Sequence, residues 1–143
     1  MPVEKDVTDT MYAALLGMKM GMKSFLLLGC LHGPRYDHTI ANFNVMLHIV
    51  QSGGTAVMAD ENSKAFLLGE CRLRLTMQKN AVVSVFPFGT FSCNVSYKGL
   101  RYPLSHQDLT MGDTLMGVSN QIVDNYAEIV VHAGYALAII YNH

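Results

Sequence analysis

The chain has 143 residues, half of them hydrophobic, with ten basic residues against eleven acidic ones and a net charge of −1. That composition excludes extensive disorder and any general electrostatic footprint for nucleic acid. No apolar run reaches the ~18 residues that a membrane-spanning helix requires, so neither nucleic acid nor membrane is expected as a partner. The first six residues, Met1 to Asp6, carry a charged pair where the apolar core of a signal peptide should begin. Cys30, Cys71 and Cys93 show no paired spacing. They read as reduced, buried thiols of a cytoplasmic protein.

The first predicted element is a helix from Thr8 to about Met20, capped by Thr8 or Asp6, with Met11, Tyr12, Leu15 and Leu16 at helical spacing. Ser24–Gly29 is continuously apolar and short, as expected of a strand buried on both faces. A loop rich in Gly, His, Pro, Arg and Asp follows. Ile40, Phe43, Leu47 and Val50 then recur at three and four residues, which predicts a second helix ending at Ser52-Gly53-Gly54. Helix, strand, loop and helix over residues 1–54 read as the end of an open, Rossmann-like α/β layer.

Beyond residue 55 the helical period stops. Eight short runs read as strands: "TAVMAD", "KAFLLG", "CRLRLTM", "AVVSVFPF", "FSCNVSYKG", "DTLMGVSN", "AEIVVHAG" and "YALAIIY". Separated by turn residues, they predict an all-β antiparallel sandwich over residues 55–143. In "CRLRLTM" the alternation puts Arg72 and Arg74 on the face opposite Cys71, Leu73 and Leu75. The change of period places the boundary near residues 53–62, with no linker.

Two stretches carry candidate chemistry. Arg35 and Asp37 lie between a buried strand and the start of a helix. Ligands of open α/β sheets sit beyond the carboxyl ends of the strands, and a helix N-terminus favours anions. An arginine there can hold a phosphate oxygen. The plainer alternative is that Asp37 caps the helix and Arg35 is solvated. Around Lys5, the carboxylates of Glu4, Asp6 and Asp9 could hold Mg²⁺ through oxygen ligands, or could simply form an acidic helix start. The methionines of "GMKMGM" and the six histidines lack metal-ligand spacing, and neither standard phosphate-loop motif occurs. "GVSNQ" at 117–121 offers two small polar side chains in a loop.

Taken together, four ordered pieces resemble the thiamine pyrophosphokinase family. They are "PVEKDVTD" at 2–9, "GPRYDHTIANFNVML" at 33–47, "VSVFPFG" with "GLRYPL" at 83–104, and "GVSNQ" at 117–121. Pro34 stands where the family usually has glycine, which removes one N–H from the loop. The resemblance implies transfer of pyrophosphate from ATP to the hydroxyethyl oxygen of thiamine, with Mg²⁺ bridging the phosphates. It implies that Arg35 and Asp37 are catalytic and that Lys5, Asp6, Asp9, Arg35 and Asp37 face the nucleotide. Asp6 and Asp9 would hold the metal, and Ser119 and Asn120 would line the thiamine site. It also implies a homodimer whose active site is shared between the α/β layer of one subunit and the sandwich of the other. Family members carry an earlier segment with Asp-Gly-Gly and Gly-Asp-x-Asp-Ser motifs, so this chain is expected to be a fragment or a shortened relative with little activity alone. The competing expectation is a non-catalytic thiamine- or nucleotide-binding or dimerisation module. An unrelated carbohydrate-binding sandwich would leave residues 1–54 unexplained.

Overall fold

The computed structural model describes residues 8–29, 35–113 and 117–142. They are mostly β, with two helices and two sheets. Helix α1 (Asp9–Lys19) begins at Thr8, whose hydroxyl accepts the N–H of Met11 at 3.1 Å. Strand β1 (Ser24–Leu28), helix α2 (Tyr36–Gln51) and strand β2 (Thr55–Ala59) form a βαβ unit, and β1 and β2 pair in parallel. A parallel pair requires a crossover, and α2 is that crossover.

The remaining strands pair antiparallel. They are β3 (Ser63–Leu68), β4 (Arg72–Thr76), β5 (Val82–Pro87), β6 (Ser92–Lys98), β7 (Leu104–Thr110), β8 (Asn120–Gln121), β9 (Tyr126–Ala133) and β10 (Ala136–Tyr141). One sheet runs β1-β2-β3-β10-β5-β8 and the other β4-β9-β6-β7. The first sheet therefore crosses residue 54 without interruption.

Strand alternation divides the interior in two. Between the sheets, Val83, Val85, Val95, Ile122, Ile129, Ala138 and their neighbours make the sandwich core. On the other face of the six-stranded sheet, Met58, Ala65, Leu67 and Leu137 meet Ala14 of α1 and Val45, Met46 and Ile49 of α2. Strand β10 serves both cores, Ala136 and Ala138 facing one and Leu137 the other.

Four expectations need correction. Strand β1 is not buried on both faces: Leu26 is 62% and Leu28 68% exposed, while Phe25 and Leu27 pack under the helices. The reason is its position as an edge strand, paired with β2 alone among the described residues. Cys71 is exposed rather than buried, because it lies in the turn before β4, outside the strand's alternation. Cys93 is buried as expected, and Cys30 falls outside the described residues. The stretch "DTLMGVSN" is not a full strand: Gly117–Ser119 form a turn, and β8 starts only at Asn120, with 114–116 outside the described residues. Finally, "LSHQDLT" forms β7, a strand that its polar sequence conceals.

Candidate functional site

Arg35 and Asp37 are brought together. The guanidinium donates from Nε to Asp37 Oδ1 at 3.2 Å and from Nη2 to Oδ2 at 2.6 Å, and Oδ1 also accepts the N–H of His38 at 3.0 Å. Asp37 therefore sits in the first turn of α2, and Arg35, which occupies the cap position, makes no capping bond with its side chain. Hydrogen bonds from Arg35 hold the Asp37 carboxyl below the usual range against a smaller opposing effect of desolvation, and the same pairing raises Arg35. Both side chains are open to solvent. A pair of this kind is weakly held in water, so a phosphate or substrate group can displace either partner.

Helix α1 runs towards the start of β1, and α2 begins beyond its end. The N-termini of both helices thus lie at the carboxyl end of the parallel pair, which brings Asp9 to the same end of the sheet as Arg35 and Asp37. Asp9 is exposed there. Lys5 and Asp6 lie outside the described residues. Among the described residues no three His, Cys, Asp or Glu side chains converge on a point that could hold a metal ion. On these residues alone the donor set falls short of a magnesium site.

Asn120 begins β8, the far edge of the same sheet, and Ser119 lies in the turn just before it. Asn120 is only 2% exposed, and its amide is engaged through both its oxygen and its nitrogen. Its Oδ1 accepts the N–H of Tyr102 at 3.0 Å and of Gln121 at 3.0 Å, while its Nδ2 donates to the carbonyl of Tyr102 at 2.9 Å. The side chain thereby stands in for a strand, pairing with the backbone of residue 102 and locking the loop 99–103 against the loop 117–121. Around it, Arg101 N–H donates to Gln121 O at 2.8 Å and Val123 N–H to Gly99 O at 2.9 Å. Gly99 has φ +75, and a Cβ there would lie 2.2 Å from Tyr126 O, so only glycine allows this approach.

Ser119 is exposed and adopts φ +57, uncommon for a non-glycine residue. Its N–H donates to the buried hydroxyl of Ser84 at 3.0 Å, which holds the turn on β5. Gly117 approaches β5 closely as well. A Cβ there would lie 2.4 Å from Val85 O and 3.3 Å from the buried Tyr97 hydroxyl. Burial, with a smaller effect of Cys93, raises that hydroxyl's pKa, and no partner lies within its reach among the described residues.

Sequence reasoning thus identified a loop that the structure builds with care, but missed two participants. Tyr102 and Ser84 become visible only through hydrogen bonds spanning 18 and 35 positions. The structure does not bring the two predicted halves together within one chain. At ~4.8 Å per strand, a six-stranded sheet is about 24 Å across from β1 to β8, and α2 packs over β2 and β3. A cavity of about 800 Å³ lies elsewhere, lined by Val57, Phe66, Leu68, Cys71, Leu73 and Tyr135 among others, and includes none of the predicted site residues.

Residues 70–136 match the family model described as thiamin pyrophosphokinase, vitamin B1 binding domain. Among solved structures, the chain is similar to thiamine pyrophosphokinase from Bacillus subtilis, at 19% identity and a TM-score of 0.86, covering 98% of this chain and 65% of that one. It is also similar to the enzyme from Geobacillus thermodenitrificans, at 20% identity and a TM-score of 0.82, covering 99% and 65%. For thiamin pyrophosphokinase from Candida albicans the values are 16% and 0.68, covering 85% and 45%. The chain therefore spans 65% of the length of the two bacterial proteins. No curated protein sequence matches it.

Proposed function

We propose that the chain is a member of the thiamine pyrophosphokinase family, whose vitamin B1 binding domain it matches over residues 70–136, and that it serves pyrophosphoryl transfer from ATP to thiamine. In that reaction the hydroxyethyl oxygen of thiamine forms a bond to the β-phosphorus. The bond between that phosphorus and the α-phosphate oxygen breaks, AMP leaves, and the hydroxyl proton is released. The observation that carries this reading is the match over residues 70–136, which contains both the Asn120 clamp and Ser119.

Catalysis of this kind rests on positioning and on charge stabilisation in the transition state. Arg35 exchanges Asp37 for a phosphate oxygen, and the freed Asp37 carboxylate orients the hydroxyl or the nucleotide. Lys5, Asp6 and Asp9 complete the nucleotide side, and Ser119 and Asn120 form the thiamine side. Asp6 and Asp9 would hold Mg²⁺, which would supply neutralisation of phosphate charge. The reading keeps residues 1–54 as the end of a Rossmann-like nucleotide layer and 55–143 as the thiamine-binding and dimerisation unit.

A second chain is needed to bring the two sides together. Reacting atoms must approach to ~3–3.5 Å, whereas Arg35 and Asp37 open the helix that packs over β2 and β3, and Ser119–Asn120 lie at the β8 edge of the sheet, with β10 and β5 between. A homodimer with shared sites meets that requirement. The free thiols at Cys71 and Cys93 suit a cytoplasmic protein.

The experiment is thiamine- and Mg²⁺-dependent formation of AMP from ATP by the purified chain. A second reading is a non-catalytic thiamine- or nucleotide-binding or dimerisation module, favoured by one observation, the family match to the vitamin B1 binding domain alone. Saturable thiamine binding with no turnover supports it. Absence of both binding and turnover contradicts both readings.

A further inference from the structure

In the four-stranded sheet, Val95 of β6 pairs with Gln107 of β7 and Tyr97 with Leu104. Between those pairs β6 has one residue, Ser96, and β7 has two, Ser105 and His106. Two residues opposite one make a β-bulge, a device that re-aims a side chain. His106 takes the left-handed conformation there, with φ +48, uncommon outside glycine. Side chains of β6 hold its backbone in place of the ladder. Its N–H donates to Ser96 Oγ at 2.9 Å, and its carbonyl accepts from Asn94 Nδ2 at 3.1 Å. The His106 ring thereby reaches across β6 and stacks on His132 of β9, with centroids 4.0 Å and planes 13° apart. His132 Nε2 lies 2.7 Å from the same Ser96 Oγ, so one hydroxyl joins three strands.

Near-parallel rings aim their nitrogen lone pairs side by side rather than at a common point, so the stack is not built to chelate a metal ion. What it constrains is charge. Imidazole is the side chain that ordinarily gains a proton between pH ~5 and 8. One charged ring can lie on a neutral one, but two charged rings at this spacing repel. Ala127, Ile129 and Val131 face the core, so alternation puts Glu128, Val130 and His132 on the outer face. The two carboxylates on that face are both engaged. Asp108 of β7 accepts from Asn94 Nδ2 at 2.8 Å, and Glu128 is held by the Tyr126 hydroxyl at 2.6 Å and Arg72 at 3.5 Å. Lys98 of β6, opposite Glu128, and Arg72 and Arg74 of β4, opposite Val130 and Glu128, add positive charge to the same face.

We propose that the His106–His132 stack is a proton-sensitive latch that holds β7 on β6 at neutral pH and releases it when both rings are charged. The released form carries one proton more than the latched form, so falling pH favours release. Strand β7 is the outer strand of its sheet, and the loop 99–103 runs into it at Leu104, so the latch also fixes the far end of that loop. The device stands apart from the thiamine reading and needs no ligand.

Amide hydrogen exchange of the full chain, read by mass spectrometry at about pH 7.5 and about pH 5 and corrected for intrinsic exchange rates, tests it. Peptides covering 104–110 are expected to lose about fivefold or more in protection at the lower pH, the factor that two unit charges ~4 Å apart produce even at the dielectric of water. Peptides covering β10 are expected to keep theirs. His106→Asn removes one charge and suits the left-handed backbone, and it should abolish the pH-dependent loss, as should His132→Gln. In the wild-type chain, cross-relaxation between the two imidazole rings in proton NMR should be present at the higher pH and absent at the lower. Unchanged protection of 104–110 in the wild type, an equal loss in β10, or the same pH-dependent loss in both variants overturns the latch. A ring–ring contact that survives at the lower pH overturns it as well.

Discussion

The two faces of the six-stranded sheet are covered to different extents. On the sandwich side, Val83, Val95, Ile122 and Ile129 are fully buried between two sheets, and loops at the β8 edge are tied by side-chain and backbone bonds. On the helical side Met46, Ile49 and Met58 are equally buried, but the layer thins towards β1. On the opposite face of β1, Leu26 and Leu28 are exposed, and on the helical side Tyr12, Leu15 and Leu16 of α1 are partly exposed. The sandwich is closed around its core, whereas the β1 edge is open, and the candidate chemistry is distributed accordingly. The loops proposed to meet thiamine are tied by side-chain and backbone hydrogen bonds, whereas Arg35 and Asp37 form a solvent-exposed pair.

Mutations can break that contrast. The largest effect is expected in the sandwich core, where Ile129→Ala should cost about 2–5 kcal/mol by chemical denaturation, against less than about 0.5 kcal/mol for Leu26→Ala at the open edge. Comparable losses at the two positions would show that the β1 edge is covered in solution. Next is Asn120→Ala, which strands the N–H and carbonyl of Tyr102 and should cost about 1–3 kcal/mol, measured the same way. Asp37→Asn and Arg35→Ala should leave stability essentially unchanged. The first should lower kcat and the second should raise KM for ATP in the AMP-formation assay.

Smaller effects concern titration. The Asp37 carboxyl is held low by Arg35 in the folded chain, so this pair adds stability above the ordinary carboxylate pKa and loses it as pH falls through the depressed value. A side-chain carbon NMR titration should find Asp37 still ionised at a pH where Arg35→Ala has begun to protonate it. Burial, with a lesser push from Asp108, raises the Cys93 thiol to about 11, whereas Cys71 is exposed. Iodoacetamide at mildly alkaline pH should therefore label Cys71 first, and Cys93 only on unfolding, by peptide mass mapping.

The helices were legible because their spacing is a local property. Ile40, Phe43, Leu47 and Val50 trace α2 without reference to any other part of the chain. Most sandwich strands were legible for the same reason, their apolar runs being long enough to mark them. Strand β7 was not, since as an edge strand it buries only Leu109 fully and otherwise displays Ser105, His106 and Asp108. The exposed face of β1, with Leu26 and Leu28, likewise needed knowledge of its place at the sheet's edge. At the site, Arg35 and Asp37 are two residues apart and their partnership could be suspected. The role of Asn120 could not, because its partner Tyr102 is brought to it by the register of the sandwich.

The central claim is that thiamine meets the sandwich at the loops joined by Asn120, and a nitrogen-15 amide NMR titration of the chain with thiamine tests it most directly. The account predicts shifts concentrated at Arg101, Tyr102, Ser119, Asn120 and Gln121. Shifts confined to Val57, Phe66, Leu68 and Leu73, which line the cavity of about 800 Å³, with the Tyr102 and Ser119 amides unmoved, would contradict it.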